Sequence, residues 1–213
     1  MLTLPFITFF SINTLLLASV DSQLPSPHAY AQHTMPLGDR YPNQSVNEIL
    51  KDNILLNVAY LKGDIKSNKD INWERVRKPT HFQFILHPNQ TFSFHEDILP
   101  EYQGKVTITS HSHFNYQDGY KSDGYLYGDG VCHLASLLNW TARDAGLEVK
   151  APTNHDFMPI SDIPKEYGVA IFYLPGQTET NAKQNLYITN NKSKDITFDI
   201  SASSDKVGVQ IIE

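Results

Sequence analysis

The chain has a single cysteine in 213 residues, Cys132, so it cannot hold an internal disulfide. It has no strongly basic stretch, and its formal charge of −6 argues against a nucleic-acid partner, which would need a phosphate-neutralising surface. It has no charged residue before Asp21. Residues 2–20 are rich in Leu, Phe and Ile but are interrupted by Pro5, Ser11 and Asn13. That run is short for a membrane span and suits the apolar region of an export signal, although the basic segment that usually precedes one is missing. No cysteine stands directly after it, which excludes a lipid-modified N-terminus. Ala29-Tyr30-Ala31 fits a small-residue cleavage pattern. The expected organisation is therefore a signal peptide or N-terminal membrane anchor over 1–31 and a single domain over 32–213.

In an exported chain, one cysteine is a reactive thiol, an intermolecular bridge or an inert buried side chain. The sequence around it favours chemistry. Gly128-Asp129-Gly130 precedes Cys132, and from there Ala135, Leu138, Ala142 and Ala145 recur at helical spacing, with no Pro or Gly before the stop at Gly146. Cys132 thus falls at a helix start, where free N–H groups and the helix dipole are expected to lower a thiol pKa. Asp129 and His133 flank it as field sources. His133 itself is a poor base, because the next residue on a helix points away.

A second helix is expected over 45–61, capped by Ser45 with Glu48 and ended by Gly63. The polar stretch 64–80 reads as a solvated excursion anchored by Trp73. Strands are expected over 80–86, 91–94, 106–109, 148–149, 169–174, 184–189, 196–201 and, as a weaker addition, 207–212. The fold class that follows is α+β, a mostly antiparallel sheet of about seven strands packed against the helix that starts at Cys132, plus one N-terminal helix.

A base for Cys132 is best sought at His155, between the strands that follow the central helix, where the chain returns past the helix start. A hydrogen-bonded loop histidine is the alternative for the same residue. His111 and His113 share a face if extended and could hold zinc with His133 or Asp129, although no HExxH spacing supports a metal. Tyr120, Tyr125 and Tyr127, in the long loop before the helix, could line a groove for glycan or peptide or could pack over the sheet.

Several spaced blocks together resemble the VanW-like family, named for a protein of vancomycin-resistance clusters. They are Thr91-Phe92-Ser93-Phe94, Gly128 to Cys132 with Ala145-Gly146-Leu147, His155, and Asn185-Leu186-Tyr187 with Asn190. Upstream, Asn53-Ile54 and Ala59-Tyr60-Leu61 look like the family's leading helix, so the resemblance spans 45–201. It implies an extracytoplasmic protein acting on the bacterial cell wall and, for some members, cofactor-free L,D-transpeptidase activity on peptidoglycan stem peptides. Carried over, Cys132 is the nucleophile and His155 the general base; beside that resemblance, Asp129 is a further catalytic candidate next to the thiol, and His133, Asn154, Tyr120, Tyr125 and Tyr127 are candidates for the substrate side. The chain departs from the family pattern at Asp129 (commonly glycine), His133 (glutamine) and Gly168 (an acidic residue). A non-catalytic wall-binding module and a zinc hydrolase are the competing readings.

Overall fold

Asn43, not Ser45, caps the first long helix: its side chain accepts the Ser45 N–H at 3.0 Å, and helix α1 runs from Gln44–Lys62. Glu48, expected to close a capping box, pairs instead with Lys51 one turn on. Gly63 ends α1 in the left-handed region, donating to Tyr60 while Asp64 donates to Ala59. In the computed structural model, which describes residues 29–124 and 127–213, this helix is followed by the short helix α2 (Trp73–Val76), the long helix α3 (Val131–Asp144) and the short helix α4 (Thr178–Lys183).

The strands form two sheets of four, not the one sheet that the sequence pattern suggested. The first contains β1 (Ala29–Pro36), β2 (Thr80–Leu86), β7 (Ile196–Ala202) and β8 (Lys206–Ile212), all antiparallel in the order β1-β8-β7-β2. The second contains β3 (Thr91–Ser93), β4 (Val106–Ile108), β5 (Glu148–Lys150) and β6 (Tyr187–Thr189) in the order β4-β3-β6-β5, with a parallel β3–β4 pair. Helix α3 packs on β1 and β8 of the first sheet, β5 of the second, and α1. Phe84 links the sheets, stacked on Phe198 at 4.7 Å and Phe92 at 5.6 Å between ring centroids.

Residues 29–31, placed in the leader, begin β1, whose sparse apolar content hid it; residues 1–28, which carry the rest of that reading, lie outside the described residues. The stretch 64–80 is largely exposed as expected, yet its Arg77 clamps the buried Asp52 carboxylate at 2.8 and 2.7 Å, and Lys121 lies 4.2 Å over the Trp73 ring. Residues 169–174 do not form a strand. Their backbone lies along α3 and is claimed by side chains, with the Val169 N–H donating to Ser136 Oγ at 2.9 Å and the Ile171 N–H meeting Cys132 Sγ at 3.4 Å.

Helix α3 starts one residue earlier than expected, at Val131, after two glycines with φ of +80° and +96°. A Cβ on Gly128 would stand 2.7 Å from the Phe114 carbonyl, and one on Gly130 2.9 Å from that of Leu50, so only glycine lets the helix start press onto α1. Gly146 ends it in the left-handed region.

Candidate functional site

Cys132, His133 and His155 line one cleft of about 230 Å³, together with Asp129, Tyr41 and Tyr127. The cleft opens between α1, the start of α3, the loop around His155 and the 169–174 segment. A neighbouring cleft of about 360 Å³, which includes His113 and Tyr173, shares Tyr127, Gly128, Ile171 and Phe172 with the first. Cys132 lines only the first of the two.

Cys132 is half-buried, and its Sγ lies 3.4 Å from the Ile171 N–H and 3.5 Å from the Ile171 carbonyl. The expected acidic thiol is reversed. Burial pushes the pKa up to about 11, Asp129 adds to the rise, and the Ile171 N–H offsets only part of it. At neutral pH the nucleophile is a thiol that loses its proton only when something takes it. Among the described residues no backbone carbonyl accepts the Cys132 N–H, which interacts with its own sulfur.

His155 is 6% exposed, flanked by the exposed Phe157 ring at 4.0 Å. Its Nδ1 lies 2.9 Å from the Met158 carbonyl. A carbonyl only accepts, so Nδ1 carries the hydrogen and Nε2 keeps the lone pair of a base. Burial lowers the pKa of His155 and the Met158 bond partly restores it, so the ring is neutral and ready to accept a proton near pH 7. Gly168 sits against this histidine: its carbonyl accepts the His155 backbone N–H at 3.3 Å, and a Cβ there would lie 3.2 Å from the His155 Cβ. The ring itself is oriented by the Met158 carbonyl, and Gly168 fixes the backbone that carries it.

The remaining candidates fall differently. Asp129 lines the cleft with its carboxyl raised to about 6 by burial and by Asp123. It opposes ionisation of Cys132. His133 is buried and neutral, held down to about 3 by burial, Arg40 and His155, so it is not the cationic field source expected of it. Its ring centroid lies 6.3 Å from that of His155. Tyr127 is 51% exposed on the rim. Tyr120 is 2% exposed and packed, its hydroxyl 2.9 Å from both Asn57 Nδ2 and Ser112 Oγ. Asn154 is exposed, bridged to Val169, and not part of the cleft lining. Tyr125 lies outside the described residues.

His111 and His113 both turn to Glu96, and His113 also pairs with Asp118 at 3.2 Å, away from His133 and Asp129. Among the described residues no group of three or more His, Cys, Asp or Glu is arranged to hold a metal ion. Residues that sequence reasoning missed are Met158, Tyr41 and Arg40. Met158 and Tyr41 act at the cleft through a backbone carbonyl and a ring, and neither residue type signals chemistry in a sequence.

Several blocks that carried the resemblance prove to be scaffold. The buried Asn185 amide donates to Ser93 Oγ and to the Asp97 carbonyl, both at 2.9 Å. Asn190 ties Leu86 to Lys194 through their carbonyls at 2.7 and 2.8 Å. No curated protein and no solved structure matches this chain. The model of the family described as VanW like protein matches residues 80–212, taking in Cys132, His155 and the asparagines but beginning after α1, and the chain belongs to that family.

Proposed function

We propose that this protein is a cysteine acyltransferase of the cell envelope, acting outside the cytoplasm on peptidoglycan stem peptides in the manner of an L,D-transpeptidase. The observation that carries this reading is that Cys132 and an oriented, neutral His155 share one open cleft. The Cys132 thiol gives its proton to His155 Nε2 as Sγ attacks the peptide carbonyl, and the Cys132 N–H faces the developing oxyanion. Collapse forms a thioester, and the departing amine takes the proton from His155. An acceptor amine then loses a proton to His155, attacks the thioester and forms a new amide, and the proton returns to sulfur. With water as acceptor the same steps hydrolyse the peptide. The neighbouring cleft across Tyr127 offers room for a second peptide. No helix among the described residues is long and apolar enough to cross a membrane.

The test is intact-protein mass spectrometry after mixing with a synthetic stem tetrapeptide. A covalent adduct of the acyl portion on the wild type, absent from Cys132→Ala and strongly reduced in His155→Gln, is expected. Absence of any adduct or product from the wild type rejects catalysis. It would favour a second reading, a non-catalytic wall-binding module, which the raised thiol pKa and the sulfur held on Ile171 support.

A further inference from the structure

His133 is 4% exposed and lines the cleft beside Cys132, yet its Nδ1 is buried with no hydrogen-bond partner among the described residues. A folded chain usually avoids leaving such an atom unpaired. The same corner holds a second orphan. Arg40 donates to the Pro36 carbonyl at 2.6 Å and to that of Ser161 at 2.8 Å, but its buried Nε also has no partner among the described residues. Its one ion pair is with the exposed Asp162 carboxylate at 3.6 Å.

Charge is ordered along the cleft. His133 is under the influence of Arg40 and His155, whereas Cys132 feels Asp129. Tyr41 lies between the two influences, its ionisation favoured by Arg40 and opposed by Asp129. Asp129 stands on the Cys132 side of the cleft, and the Arg40 guanidinium acts on His133, whose Nδ1 has no partner among the described residues. An anion placed there would supply the missing partner and favour a protonated, doubly donating ring.

We propose that His133, backed by the Arg40 guanidinium, forms a carboxylate subsite at one end of the Cys132 cleft. It holds a free carboxylate of the peptide whose carbonyl Cys132 attacks, an assignment that rests on the acyl-transfer reading for the identity of the peptide. The carboxylate comes either from a chain terminus or from an acidic side chain.

The test uses the full chain carrying Cys132→Ala to prevent turnover, with calorimetric binding of three synthetic stem peptides: a C-terminal acid, its C-terminal amide, and an amide whose last residue is Glu. The acid is expected to bind at least tenfold more tightly than the amide. His133→Leu should bring the two within twofold, and His133→Gln, which keeps a donor, should retain part of the preference and guards against a misfolded Leu variant. The Glu peptide identifies the source: binding like the acid assigns a side-chain carboxylate, and binding like the amide assigns the terminus. Equal binding of acid and amide, a preference that survives His133→Leu, or no binding of either peptide overturns the subsite. Acyl adduct on the wild type without a carboxylate preference would overturn this inference and leave acyl transfer standing. A carboxylate preference without adduct would do the reverse.

Discussion

Asn53, on the inward face of α1, donates from Nδ2 to the Asp129 carbonyl at 3.0 Å and to the Lys121 carbonyl at 3.0 Å, while its Oδ1 accepts the Lys121 N–H at 2.8 Å. One fully buried amide therefore ties both ends of the loop that delivers Cys132. Asn53→Ala leaves the Asp129 carbonyl and the Lys121 N–H without this partner, while the Lys121 carbonyl keeps the Gly128 N–H at 3.2 Å, a loss of about 1–3 kcal/mol. It should also free Asp129 and the glycines around it to drift. The expected outcome is a lower urea midpoint and at least a tenfold slower appearance of the acyl adduct. Unchanged adduct kinetics in a folded variant would show that the loop needs no such tether.

The state of the thiol can be read directly from its alkylation. With a pKa pushed up to about 11 from an ordinary 9, Cys132 carries about a hundredfold less thiolate at pH 7 than an unperturbed thiol. Iodoacetamide labelling, followed by mass spectrometry, should rise with pH through 9 and 10 with no plateau below pH 8. Turnover should behave differently, because His155 takes the proton during attack: its rate should climb once pH exceeds the lowered His155 pKa and hold through neutrality. A labelling plateau below pH 8 would mean a preformed thiolate–imidazolium pair and would contradict the geometry at Ile171.

What the sequence made legible was local. Helices α1 and α3 carry their own periodicity, and Gly63 and Gly146 mark their ends by adopting the left-handed region that glycine tolerates best. Cys132 and His155, paired from the sequence as candidates, line one cleft. The acidity of the thiol was misjudged because burial against Ile171 is a tertiary fact that outweighs position at a helix end. Division into two sheets was hidden for a similar reason, since β2 pairs with β7 more than a hundred residues away and nothing local records that choice. Tyr120 and Tyr127 look alike in one loop, but Asn57 and Ser112 draw one hydroxyl into the core and leave the other ring on the rim.

Two buried neutral histidines should make the fold sensitive to mild acid. His95 is pushed down to about 4 and His133 to about 3, chiefly by burial. His95 donates from Nε2 to the Gln184 carbonyl at 3.1 Å and presents Nδ1 to the Asn185 amide at 3.4 Å, so a second proton would face a donor. Both folded pKa values lie below the unfolded value of 6.5, so each contributes stability that is present above pH 6.5 and lost as pH falls towards 4. The slope approaches about 1.4 kcal/mol per pH unit per histidine. Asp129, raised to about 6, works the other way: its contribution is lost as pH rises from 3.8 through 6. Two histidines against one carboxyl leave a net loss on acidification. Thermal midpoints from pH 7 to pH 4.5 should fall, and His95→Gln should flatten the profile; a midpoint constant across that range would show that the rings gain protons without penalty.

Gly168 is the position where this chain's way of orienting its base can be tested most sharply. Its φ of −62° suits any residue, so Gly168→Ala brings no backbone strain. The constraint is space: the new Cβ would stand 3.2 Å from both the His155 Cβ and the Lys165 carbonyl. His155 cannot yield freely, because its own N–H is bonded to Gly168 and its Nδ1 to Met158. A shift of a few tenths of an ångström in the ring is therefore expected, lowering kcat by about tenfold with little change in KM or thermal midpoint, as for a misplaced base. Gly168→Asp carries the same crowding but adds a carboxylate near the imidazole. That charge favours the protonated ring, so the acid limb of the rate profile should move to higher pH. An acid limb that stays in place would mean that the carboxylate points away from His155, and unaltered kcat in Gly168→Ala would mean that the Met158 bond alone is enough to hold the base.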